Sequence, residues 1–252
     1  MTAFKVVIPA RYGSTRLPGK PLLPIAGRPM IVHVCQRALE TGAEVVLATD
    51  DARILQAVSG LPVRALLTRP DHGSGTERIS EVVDVLGWGD RELVVNLQGD
   101  EPLMRPDLIR RLATALAERQ DLGMATLATR IRDPAEVLDP HVVKTVTDRA
   151  GHALYFSRAP IPYQRDSCAD GPQLEDEGPW LRHIGVYAYS VGFLRRYVRW
   201  PRSPLETVEA LEQLRVLWHG ERILVLPVED PPEGGVDTEA DWRRVEATLT
   251  AR

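Results

Sequence analysis

Residues 11–21 read Arg-Tyr-Gly-Ser-Thr-Arg-Leu-Pro-Gly-Lys-Pro and follow directly on the apolar run Lys5–Ala10. Two glycines, two small hydroxyl side chains and three cations meet in that loop. Glycine lets a backbone turn its N–H groups toward a ligand, and cations neutralise anionic oxygens. The chemistry these types share is phosphate binding, with Ala10, Arg11, Gly13, Ser14 and Lys20 as candidates. The loop is not a Walker A motif: Gly13 and Gly19 stand one residue too far apart, and Pro21 occupies the position of the magnesium-binding Ser or Thr. Nor is it a GxGxxG fingerprint. For the loop alone, a solvated turn with incidental charges stays open.

If the phosphates belong to a nucleoside triphosphate, displacement at its α-phosphate would expel pyrophosphate from a group bearing about four negative charges and would call for a divalent cation. Magnesium takes one or two carboxylates and completes its shell with phosphate oxygens and water. Asp100 follows the apolar run 93–97, and Asp237 follows Gly234-Gly235, where the backbone can approach closely. Asp237 reads equally as the N-cap of the last helix, a role open also to Thr238. Asp50 and Asp51 sit where a helix N-terminus favours acidic residues and are kept out of the metal shell. Ser74-Gly75-Thr76 could present amides and hydroxyls to a planar ring, although a capping box of Ser74 with Glu77 explains the same residues.

These residues need a scaffold, and the order of elements predicts one. Strand-like runs at Lys5–Ala10, 45–49, 63–67 and 93–97 alternate with helical patterns at 30–41, 51–58, 76–86 and 106–119. That alternation predicts an α/β fold with a mostly parallel nucleotide-binding sheet and flanking helices. In such a sheet ligands bind beyond the carboxyl ends of the strands, which places the stretches 11–14, 50–51 and 98–101 at one site. The runs 142–146 and 153–157 flank Asp-Arg-Ala-Gly and predict an inserted β-hairpin. A Pro-, Asp- and Gly-rich arm over 160–180 follows, then a strand at 183–190, a helix at 203–219, a strand at 222–228 and a helix from 238. We read 1–252 as a single α/β domain, with the hairpin and arm at about 140–190 as an excursion within it.

Composition narrows the function. A net charge of -4 gives no general cationic field for nucleic acid or an anionic membrane. The basic, aromatic run 194–200 reads as a solvated helix face or subunit contact. Cys35 and Cys168 have no CxxC spacing and form no disulfide framework, which fits a reducing compartment. No stretch approaches the roughly 20 apolar residues that span a bilayer, and the start of the chain shows no signal peptide, so a cytoplasmic location is expected.

The string Ile8-Pro9-Ala10-Arg11 through Leu17-Pro18-Gly19-Lys20-Pro21 resembles the signature of the sugar-acid cytidylyltransferases. The similarity continues in the family's order through 71–78, 96–102, 153–158, 182–187, 211–215 and 235–238, nearly the full length. The resemblance implies a nucleotidyltransferase using CTP and the sugar acid 3-deoxy-manno-octulosonate (Kdo) for lipopolysaccharide synthesis, with Mg2+ on Asp100 and Asp237. It implies Gly75 and Arg78 beside the cytosine, and Gln98, Arg158, His183, Tyr187, Glu212 and Gln213 around the sugar. Arg11 and Lys20 would then act on the departing pyrophosphate. No side chain offers itself as a general base, so metal activation of the sugar hydroxyl is the expected route. A homodimer is also implied, with the hairpin and arm at about 140–190 contributing to the sugar site and the dimer contact. Sialic acid, an amino analogue of Kdo, or UTP as donor remain open alternatives, as does a nucleotide-sensing protein that has lost catalysis.

Overall fold

The computed structural model describes residues 2–14, 17–165, 174 and 178–251. The first strand, β1 (Lys5–Ala10), is apolar on both faces, as a strand covered by helices on both sides must be. After a small hairpin of β2 (Pro24–Ile25) and β3 (Arg28–Pro29), the chain alternates regularly. It runs through α1 (Met30–Leu39), β4 (Glu44–Thr49), α2 (Ala52–Ala57), β5 (Arg64–Leu67), α3 (Gly75–Val85), β6 (Leu93–Asn96) and α4 (Pro106–Ala117). The second half holds β7 (Met124–Arg130), α5 (Pro134–Leu138), β8 (Lys144–Thr147), β9 (Ala153–Ser157) and β10 (Leu181–Ser190). It ends with α6 (Val191–Tyr197), α7 (Pro204–Glu209), α8 (Gln213–Trp218), β11 (Ile223–Val228) and α9 (Glu239–Thr250).

The main sheet has the order β11-β7-β10-β6-β1-β4-β5, with β8 and β9 attached beside β10. β1, β4, β5 and β6 are parallel, as are β7 and β11. β10 is antiparallel to β6, β7 and β8 and welds the two parallel sets together. Alternate residues feed two cores. Val6, Ile8 and Leu47 pack with Ile31, Leu108 and Leu112 on one face. Val7, Val46 and Val94 pack with Ile79, Val82 and Phe193 on the other. The strand order reverses at β1, with β4 on one side and β6 on the other, and this switch point opens a crevice at the strands' carboxyl ends.

Most expected elements are found, with three corrections. The single helix expected over 203–219 is two, α7 and α8, because Ala210 adopts a left-handed conformation at φ 52 and turns the chain between them. β7 was not expected as a strand. The basic run 194–200 belongs largely to α6, where Phe193, Leu194 and Tyr197 are buried. Two of its three cations are engaged locally, Arg195 with Asp84 and Asp90, and Arg196 with Glu221. The expected hairpin forms as β8 and β9. Most of the expected arm over 160–180, with Cys168, lies outside the described residues, as do Thr15 and Arg16 of the loop.

Candidate active site

The carboxyl ends of β1 and β6, the loop after β1 and the N-terminus of α3 enclose a cavity of about 330 Å3. Eleven of the residues singled out from sequence line it: Ala10, Arg11, Gly13, Ser14, Lys20, Gly75, Arg78, Gln98, Asp100, Glu212 and Asp237. The strand ends deliver them. β1 leads into the phosphate loop, which closes in a 3-10 turn at Lys20–Leu22. Gly19 begins that turn at φ 67, a conformation that glycine adopts without strain.

Lys20 is the centre of charge. Its Nζ lies 2.6 Å from Asp100 Oδ2 and 2.9 Å from Asp237 Oδ1. Burial works against the ammonium, but the charges and hydrogen bonds of Asp100 and Asp237 outweigh it and hold its pKa above the ordinary lysine value. Asp237 reaches this position because it does not cap a helix. Thr238 caps α9 instead, in a reciprocal box with Asp241. The loop bearing Asp237 packs tightly on the end of β6: Val236 N–H donates to the Asp100 carbonyl at 2.9 Å. A Cβ on Gly235 would stand 2.8 Å from both that carbonyl oxygen and Glu101 Oε1.

Two carboxylates thus converge on one cation position. The pair supplies hard oxygen donors without sulfur or imidazole, which suits Mg2+ with its preference for one or two carboxylates plus phosphate oxygens. Among the described residues no group of three or more His, Cys, Asp or Glu side chains forms a fuller metal cage. Adjacent Glu101 does not act as a third charge. Burial, reinforced by the charges of Asp100 and Asp237, pushes its carboxyl up to about 8, so it carries a proton at neutral pH.

On the opposite wall, Ser74 caps α3 by accepting from Glu77 N–H at 3.2 Å. The expected box is not closed reciprocally, because Glu77 Oε2 accepts from Gly73 N–H at 2.7 Å instead. Gly75 lies tight against the end of β1; a Cβ there would meet Pro9 Cγ at 3.2 Å. Arg78, buried one turn on, donates to Asp50 Oδ2, Thr68 Oγ1 and the Arg69 carbonyl. Glu212 enters the cavity from the short link between α7 and α8 and accepts from Thr76 Oγ1 at 2.9 Å. Burial raises its pKa, partly offset by hydrogen bonds from Thr76 and Ser74.

Four expected sugar residues lie away from the cavity lining: Arg158, His183, Tyr187 and Gln213. Arg158 donates from Nε to the Glu209 carbonyl at 2.8 Å and from Nη1 to the Pro140 carbonyl at 3.0 Å. His183 and Tyr187 flank an irregularity in the pairing of β10 with β7, between Ile184 and Tyr187. Thr126 Oγ1 fills it, 2.9 Å from both the Val186 carbonyl and His183 Nε2. Thr126 Oγ1 donates to that carbonyl and also stands 3.3 Å from the Ile184 carbonyl oxygen. Burial pushes the His183 pKa down to about 3, and the ring is neutral. Burial likewise raises the Tyr187 phenol well above its ordinary value. Gln213 is buried, and among the described residues its Nε2 has no hydrogen-bond partner. The same cavity is lined by residues that sequence reasoning did not assign, among them His72 and Gly99. For Gly99 the signal was its place between Gln98 and Asp100 at a strand end.

An open, mostly parallel sheet with a cationic glycine loop and a carboxylate pair at its switch point defines an α/β nucleotidyltransferase. The family model described as cytidylyltransferase matches residues 5–223, and the chain belongs to that family. It is 61% identical to a 3-deoxy-manno-octulosonate cytidylyltransferase of Methylococcus capsulatus over 99% of this chain and 98% of that one. It is 53% identical to the Hahella chejuensis protein of the same name, again over 99% and 98% of the two chains. The solved structure of CMP:2-keto-3-deoxy-manno-octonic acid synthetase complexed with CTP superposes with a TM-score of 0.89, at 43% identity and 99% coverage of both chains.

Proposed function

We propose that this chain transfers the cytidylyl group of CTP to Kdo, giving CMP-Kdo and pyrophosphate for lipopolysaccharide synthesis. The observation that carries this reading is the meeting of the Arg11–Lys20 loop with Asp100 and Asp237 at the sheet's switch point. The full-length similarity to proteins named for that reaction supports both substrates. In the reaction the anomeric oxygen bonds to the α-phosphorus, the bond from that phosphorus to the β-bridging oxygen breaks, and the hydroxyl proton leaves to solvent.

The chain's own residues have distinct tasks. Arg11, Lys20 and the amides around Gly13 and Ser14 hold the β- and γ-phosphates and stabilise charge as pyrophosphate departs. Gly75 and Arg78 form the wall for the base, and Gln98 lies between nucleotide and acceptor. Asp100 and Asp237 would hold Mg2+, which supplies Lewis-acid polarisation of the phosphate oxygens. Glu212 and Gln98 line the cavity, which supports a part for them in holding the acceptor. Arg158, His183, Tyr187 and Gln213 lie outside the cavity lining, and the Gln213 amide, without a partner among the described residues, supports a role toward a sugar hydroxyl.

No helix among the described residues is long and apolar enough to cross a membrane. Use of CTP supports a cytoplasmic location. Exposed Leu154, Val208 and Trp218 on β9, α7 and α8 support a homodimer. The deciding assay is pyrophosphate release from CTP or UTP with Kdo, its 8-amino analogue, sialic acid or no acceptor, with and without EDTA. Release requiring CTP, Kdo and free divalent cation is expected. Release that needs no sugar, or that prefers sialic acid or UTP, would sink the reading.

A further inference from the structure

Asp50 stands just beyond β4, and its two carboxylate oxygens serve two different walls of the cavity. Oδ1 accepts from Tyr12 N–H at 3.0 Å, at the start of the phosphate loop. Oδ2 accepts from Arg78 Nη2 at 3.1 Å, on the first turn of α3. Both side chains are largely shielded, with 15% of Asp50 and 4% of Arg78 exposed, so these charge-assisted bonds act where water competes little. Tyr12 is held at its ring as well. The Arg53 guanidinium lies 3.6 Å from the ring centroid, and a Cβ on Gly19 would stand 3.2 Å from the Tyr12 hydroxyl. The Tyr12 ring thus packs against Gly19, the residue that precedes Lys20.

We infer that Asp50 is a positioning residue that locks the phosphate loop and the base-side wall into one register through Tyr12 N–H and Arg78. A loop containing Gly13 and Gly19 has much conformational freedom to lose on binding, and a tether at its root removes part of that loss in advance. The inference rests on the nucleotide reading of the cavity.

Calorimetric titration with CMP and with inorganic tripolyphosphate separates the two walls. Asp50→Ala removes both acceptors and is expected to weaken both ligands about tenfold. Asp50→Asn keeps one acceptor oxygen. Arg78 retains Thr68 Oγ1 and the Arg69 carbonyl, so that oxygen stays with Tyr12. Tripolyphosphate affinity should then hold within about twofold while CMP weakens about tenfold. If Asp50→Ala does not fold, the split in Asp50→Asn decides alone. Both ligands unchanged in Asp50→Asn, or both weakened equally, overturns the inference, since a merely structural role would not divide them. A wild-type protein that binds neither ligand would instead overturn the nucleotide reading itself.

Discussion

At the scale of single residues, Lys20 separates two carboxylates that would otherwise repel one another. Its ammonium offsets one of their two negative charges in the resting site. Replacing Asp100 or Asp237 by Ala should lower turnover about a thousandfold at saturating Mg2+ while the thermal midpoint stays near wild type. Near-normal turnover in either variant would remove the metal assignment. Lys20→Ala should lose far more in rate than in stability. His183 makes a different kind of prediction. Its imidazole titrates near 6.5 when unfolded and about 3 when folded, so between those values the unfolded chain binds more protons. The stabilisation is complete above pH 6.5 and drains by about 1.4 kcal/mol per unit as pH falls toward 3. His183→Gln should flatten that acid limb in urea melts. An unchanged slope would mean that the folded ring takes up protons freely.

At the scale of elements, the end of β6 and the loop before α9 are pressed together, and Gly235 is the contact point. Gly235→Ala would force its Cβ against the Asp100 carbonyl, which is backbone and cannot yield. We expect a stability loss of about 1–3 kcal/mol and a larger proportional loss of turnover, because Asp237 is carried away. A fully active Gly235→Ala enzyme would show that the loop is not held in this position. What the sequence revealed follows the same scale. β1, β4 and β6 were legible as apolar runs closed by polar or glycine residues, β5 as a short run beside them, and the ends of β1 and β6 are the site. β7 was not, because Met-Ala-Thr-Leu-Ala-Thr-Arg alternates small residues with threonine, and its burial comes from β10 and β11 on either side. The break at Ala210 was hidden too, since no glycine marks that left-handed turn. Asp237 could be separated from Thr238 as a cap only by seeing which one bonds Asp241 N–H. Asp50 was legible as a strand-end acid, but its bond to a backbone amide in a distant loop has no sequence signature.

At the scale of the whole molecule, β10 is the late-arriving centre of the sheet. Tyr187 pairs with Asn96 on one side and Thr126 on the other. Contacts of such sequence separation close slowly. During synthesis from the N-terminus, β6 and β7 must therefore wait as open edges until β10 has left the ribosome. A chain stopped at residue 165 should be protease-sensitive and prone to aggregate, whereas one extended through 251 should resist digestion, as pulse proteolysis of arrested chains can measure. If the shorter chain proved soluble and protected, the first half would be complete without its central strand. One antiparallel strand thereby sets a timetable: the nucleotide half, though encoded first, waits for the second half to be made.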